Sequence, residues 1–106
     1  MSQIQLLPAH FVMLGAILFG LGTAGAIMRR NALTLLMSIE LMLNAANLVF
    51  IAYAKQYGDP SGHVIAFFVM AIAAAEAAVG LAIIIGVFRT RHTIEVDELD
   101  ALRDET

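Results

Sequence analysis

From Asn31 to Ala54 the chain reads NALTLLMSIELMLNAANLVFIAYA, an apolar run long enough to cross a bilayer as one helix, with a single carboxylic acid, Glu40, in its interior. At about 1.5 Å of rise per residue, Glu40 would lie roughly 13 Å below the membrane surface marked by Asn31. Insertion scales put the cost of an acid at the centre of a membrane helix at about 2.5 to 3.5 kcal/mol, and an ionisable residue there is read first as functional. Apolar runs of similar length lie on either side, and the later one carries a second interior acid, Glu76. The expected fold is therefore all-α and integral to the membrane. Three transmembrane helices are predicted over residues 10–28, 32–54 and 64–88, with a hydrophilic tail over 89–106.

Composition supports that reading and removes several others. The chain is 60% hydrophobic and 14% charged, where soluble domains carry about 25% charged residues. It has no cysteine, which excludes disulfides, thiolate metal sites and cysteine catalysis. His10, His63 and His92 are scattered, with no pair at metal-ligand spacing, so no metal site is expected. The net charge is −3 and no basic cluster stands out, so nucleic acid is not an expected partner. Met1 to Ala9 contains no Lys or Arg, so the first apolar run reads as a retained span and not as a signal peptide.

Pro8 suits the first turn of a helix. In the first span Ala16, Gly20 and Ala24 recur every four residues, and Gly22 and Ala26 repeat the spacing; both stripes read as packing faces. Arg29, Arg30 and Asn31 form a connection so tight that the first two spans must be antiparallel neighbours. Lys55 to Gly62 (KQYGDPSG) reads as a turn, with Asp59 a turn residue. Arg29, Arg30, Arg89, Arg91 and Arg103 gather on one side and Lys55 stands alone on the other, which predicts an outside (periplasmic) N-terminus and a cytoplasmic C-terminus. In the acidic tail Val96, Leu99 and Leu102 would share one face of a short docked helix; a solvated tail is the competing reading.

On the second span Glu40, Asn44 and Asn47 fall on one stripe, extended by Leu33, Leu36 and Met37. Three polar side chains on one face of a membrane helix call for protein or water opposite them, and not lipid. Glu76 stands in AIAAAEAAVG between Ala73 and Gly80, roughly 20 Å from the cytoplasmic side when counted from Arg89. Removal from water disfavours the charged form of any carboxyl, and a second carboxylate nearby does so further, which brings such groups within reach of proton exchange near neutral pH. The plainer alternatives are an acid that only fixes helix packing, and Asn44 and Asn47 as ordinary interhelical hydrogen-bonding groups. No Lys or Arg lies inside a span, so a basic partner would come from another subunit or, through water, from Arg29 or Arg30. Those two arginines read as topology determinants, or as charges that bias proton uptake at the end of the Glu40 helix. His10 and His63 read as wetted residues at the outer interface.

These residues resemble a known family. RRN in the first turn, IELMLNAANL around Glu40 and AAAEAAVGLA around Glu76, on three spans, are similar to the K (or "4L"-type) subunits of proton-pumping NADH–quinone oxidoreductase, respiratory complex I. The resemblance covers about residues 10–92. It implies a membrane-arm subunit of a hetero-oligomeric enzyme in the bacterial inner membrane, with Glu40 and Glu76 in proton translocation and Arg29 and Arg30 matching that family's paired arginines. It also implies that this chain has no catalytic residue and binds no cofactor, with FMN, iron–sulfur clusters and quinone held by partner subunits. Nothing in the chain matches a dinucleotide-binding glycine pattern after a strand. The nearest alternative is the related small subunit of multisubunit Na+/H+ antiporters. Small multidrug transporters usually have four spans and aromatic-rich helices, and ATP synthase rotor subunits have two spans and one acid; both fit less well. Three spans with small-residue faces are too few to enclose an ion path alone, so the chain is expected to be stable only within a larger membrane assembly.

Overall fold

The computed structural model describes residues 6–101. It has three long helices, α1 (Pro8–Met28), α2 (Ala32–Tyr57) and α3 (Pro60–Arg91), and a short α4 (Val96–Ala101). The three long helices are each long and apolar enough to cross a membrane.

Residues suited to helix ends set the boundaries. Pro8 opens α1, where its missing N–H has no partner to lose, and the Leu7 N–H donates to His10 Nδ1 at 2.9 Å. Asn31 caps α2, its Oδ1 accepting from the Leu33 and Thr34 amides at 2.9 and 3.2 Å. Gly58 ends α2 with φ 63°, a left-handed conformation that costs glycine nothing. Asp59 and Pro60 begin α3 at once. The turn expected over Lys55–Gly62 thus shrinks to Gly58 and Asp59: Lys55 to Tyr57 prolong α2, with Lys55 favourably placed at the negative end of the helix, and Pro60 to Gly62 make the first turn of α3.

Asp59 Oδ1 accepts from the Ser61 amide at 2.9 Å, and that bond holds its carboxyl below the ordinary value of 3.8. A carboxyl depressed in the folded state contributes stability above its unfolded value and loses it as pH falls through the folded one. The stability difference between wild type and Asp59→Asn is therefore expected in full above about pH 4 and should fade as pH falls on through the depressed folded value, read as thermal loss of helicity in detergent.

α2 lies between its neighbours, and α1 and α3 make no comparable contact with each other. Glycine opens α1 to α2. A Cβ at Gly22 would stand 2.6 Å from Met42 Cγ and 2.8 Å from the Ser38 carbonyl oxygen; one at Gly15 would stand 2.8 Å from Val49 Cγ2; one at Gly25 would run into Ser38 Oγ. The Ala16–Gly20–Ala24 stripe is not this contact. All three residues are exposed, and a Cβ at Gly20 would meet nothing within 4 Å. The contact residues recur at steps of seven and three, the period at which two helices keep the same faces together, so a search at steps of four passes over Gly15 and Gly25.

Between α2 and α3 the close approaches are Leu36 against Gly80 and Ala54 against Gly62. Among the described residues the buried apolar side chains are all alanines (Ala45, Ala52, Ala54, Ala66, Ala73), while Phe19, Phe67, Phe68 and Ile83 face outward. Small residues inside and large apolar ones outside suit a surround of lipid tails and neighbouring helices. Buried Ser38 is satisfied within its own helix, its Oγ donating to the Thr34 carbonyl at 2.9 Å.

After α3 the chain reverses at His92, at φ 59°, and folds back over the first turn. The Ala32 N–H donates to the Ile94 carbonyl at 2.9 Å and the Val96 N–H to the Arg30 carbonyl at 3.0 Å. Half-buried Ile94 shares the lining of an apolar groove with Leu33, Leu81, Ile85 and Phe88. Two backbone bonds thus hold the tail against the first turn; of the expected Val96–Leu99–Leu102 face, Val96 is 39% exposed and Leu99 half-buried. Leu102 and Arg103 lie outside the described residues.

Candidate functional site

α2 presents two faces. Ser38, Met42, Ala45 and Val49 meet α1; Leu36, Phe50 and Ala54 meet α3. Leu36, Glu40, Leu43, Asn47, Phe50 and Ala54 follow at alternating steps of four and three, which assigns Glu40 and Asn47 to the α3 side. Glu40 is half-buried, Asn44 is exposed and Asn47 is 4% exposed. The stripe seen in the sequence therefore runs from a groove into the helix–helix seam. Glu40 and Asn44 line the groove, of about 380 Å³, with Met37 on the α2 side and Ala77 and Leu81 on the α3 side. Around the carboxyl the groove is almost wholly apolar.

The two acids stand at one level. From the Leu36–Gly80 contact, four residues along α2 reach Glu40 and four back along α3 reach Glu76; the Ala54–Gly62 contact, eighteen residues away on each helix, keeps the same register. The difference in depth expected from counting inward from Asn31 and Arg89 does not hold. From Leu36 to the start of α2 at Ala32 is four residues, whereas from Gly80 to the end of α3 at Arg91 is eleven, so α3 overhangs α2 by seven residues, roughly 10 Å.

The acids do not share one groove. Ala73 (8% exposed) and Gly80 mark the line along which α3 meets α2. Ala77 falls on the flank that forms the Glu40 groove. Glu76, one residue earlier and so about 100° round the helix, falls on the other flank and is exposed. A ridge of small α3 side chains separates two acids at matched height. The partition escaped the sequence because Ala73, Ala77 and Gly80 are interchangeable by composition; only the position of α2 tells which of them is the ridge.

At the end carrying the first turn, Arg30 Nε pairs with Asp97 Oδ2 at 3.2 Å, and Arg29 is exposed. Among the several acids of the tail, no sequence signal distinguishes Asp97. Both members of the pair are largely exposed, so Asp97→Asn is expected to cost less than about 1 kcal/mol, measured as thermal stability, with the backbone bridge keeping the tail docked. His10 and His63 are exposed. Among the described residues no three His, Cys, Asp or Glu side chains gather as a metal ion would need.

A family model described as NADH-ubiquinone/plastoquinone oxidoreductase chain 4L matches residues 10–104. The chain is 57% identical over 94 residues to the NADH-quinone oxidoreductase subunit K of Anaeromyxobacter sp. (strain Fw109-5), an alignment covering 89% of this chain and 94% of that one. It is 53% identical over 95 residues to the subunit K of Roseiflexus castenholzii, covering 90% and 95%. Against the subunit K of Salinibacter ruber it is 49% identical over 96 residues, covering 91% and 95%.

Proposed function

The chain belongs to the NADH-ubiquinone/plastoquinone oxidoreductase chain 4L family, and from that premise we propose that it is a membrane-arm subunit of a proton-translocating NADH–quinone oxidoreductase. It sits in the bacterial inner membrane, N-terminus periplasmic and C-terminus cytoplasmic, among other membrane-arm subunits. It carries out no electron transfer. FMN, iron–sulfur clusters and quinone belong to its partners, and its own part is to move protons when electron transfer elsewhere changes the charge or hydration along a buried axis.

The observation that carries this reading is Glu40: an acid with no Lys or Arg among residues 32–54 of its own helix, half-buried in the wall of an apolar groove, level with a second acid across a ridge of small residues. A carboxylic acid can both donate and accept a proton, which is what a relay requires, and an ionisable residue inside a membrane span is read first as functional. Exposed Glu76 faces out of this chain, so its surroundings are completed by a partner subunit. Asn44 continues the polar lining beside Glu40, and the Arg29–Arg30 turn places positive charge at the adjoining end of α2.

The test is purification through a C-terminal tag in mild detergent. NADH–quinone reductase activity that co-purifies with the chain supports the reading. Recovery of membrane subunits alone, with Na+/H+ exchange, would replace it with the antiporter assignment.

A further inference from the structure

Asn47 is the one side chain among the described residues whose buried polar atoms have no partner. It is 4% exposed, and neither Oδ1 nor Nδ2 is engaged. An unmet polar group in an apolar interior is costly, and lipid offers no bulk water to relieve it. No neighbouring subunit can supply the bond directly, because Asn47 is buried within this chain.

The surroundings favour a small polar occupant. Seven residues from the Ala54–Gly62 contact, α2 presents Asn47 and α3 presents Val69, with Ala66 (fully buried) and Ala73 about one turn to either side. Alanines there keep bulky apolar side chains away from the Asn47 carboxamide. Asn44, three residues before Asn47, lines the Glu40 groove. Side chains three apart on a helix have Cβ atoms about 5–6 Å apart, a span that one water bonded to both carboxamides can bridge. Buried waters in proteins typically make two to four such bonds.

We propose that Asn47 holds a buried water in the α2–α3 seam, shared with Asn44 at the end of the Glu40 groove. The polar row then runs from Glu40 through Asn44 and the water to Asn47, toward the end of α2 that carries Gly58. Its use as an extension of the proton path rests on the function proposed above; the water site itself does not.

The test is a cryo-EM map of the assembled enzyme in which ordered waters are visible elsewhere in the membrane domain. The expected result is a peak within about 3 Å of Asn47 Oδ1 or Nδ2 and also within reach of Asn44, absent in Asn47→Leu and weakened in Asn44→Leu. No peak, or an Asn47 amide bonded directly to protein, overturns the site, and the wild-type map decides this even if Asn47→Leu fails to assemble. The role is read separately by a double-mutant cycle on proton pumping. Asn47→Leu is expected to lower pumping in the wild-type background and to add nothing in a Glu40→Gln background; losses that simply add would overturn the role. The map does not depend on Glu40, so failure of the proton-path reading and failure of the water site give different results.

Discussion

Glu40→Gln is expected to lower proton-coupled quinone reduction in the assembled enzyme by about tenfold or more while leaving assembly intact. Glutamine keeps the volume and hydrogen-bonding outline of glutamate but has no proton to give up. Glu40 is half-buried at the α2–α3 groove, so the substitution leaves the packing of both helices nearly unchanged. A loss of turnover with normal recovery of all subunits therefore reads the charge and not the fold. Glu40→Asp keeps an ionisable group and is expected to retain part of the activity. Normal pumping in Glu40→Gln would remove this residue from the path. Glu76→Gln is expected to cost less, because Glu76 is exposed on the opposite flank of α3 and is less dependent on this chain for its surroundings.

Gly22→Leu is expected to prevent stable α1–α2 packing and with it the accumulation of the chain in the membrane assembly. The first atom of any side chain there meets Met42 Cγ at 2.6 Å and the Ser38 carbonyl oxygen at 2.8 Å. The methionine can swing away; the carbonyl belongs to a continuous helix and cannot. Overpacking a close helix contact typically costs about 1–3 kcal/mol, and membrane helices have little apolar driving force with which to offset it. Gly20→Leu is the informative contrast, because nothing lies within 4 Å of its Cβ position. Subunit levels in purified membranes should fall for Gly22→Leu and hold for Gly20→Leu. The reverse order would mean that α1 presents its Ala16–Gly20–Ala24 face to α2 after all.

What the sequence determined by itself was whatever depends on one helix at a time. Apolar runs longer than a bilayer is thick declare spans; Asn31, Gly58, Asp59 and Pro60 are end residues by their own chemistry; an acid inside a span is conspicuous wherever the helix is later put. The tertiary structure decided what depends on two helices. The contact face of α1 is Gly15, Gly22 and Gly25, because a close approach needs small residues where the partner actually passes, and a helix with many small residues offers several such stripes. The Leu36–Gly80 contact brought Glu40 and Glu76 to one level, since α3 overhangs α2 by an amount no count inward from the ends could reveal. The α2–α3 contact line put the two acids on opposite flanks and closed over Asn47 while leaving Asn44 open. A helix's own periodicity says which residues share a face; only its neighbour decides which face is the inside.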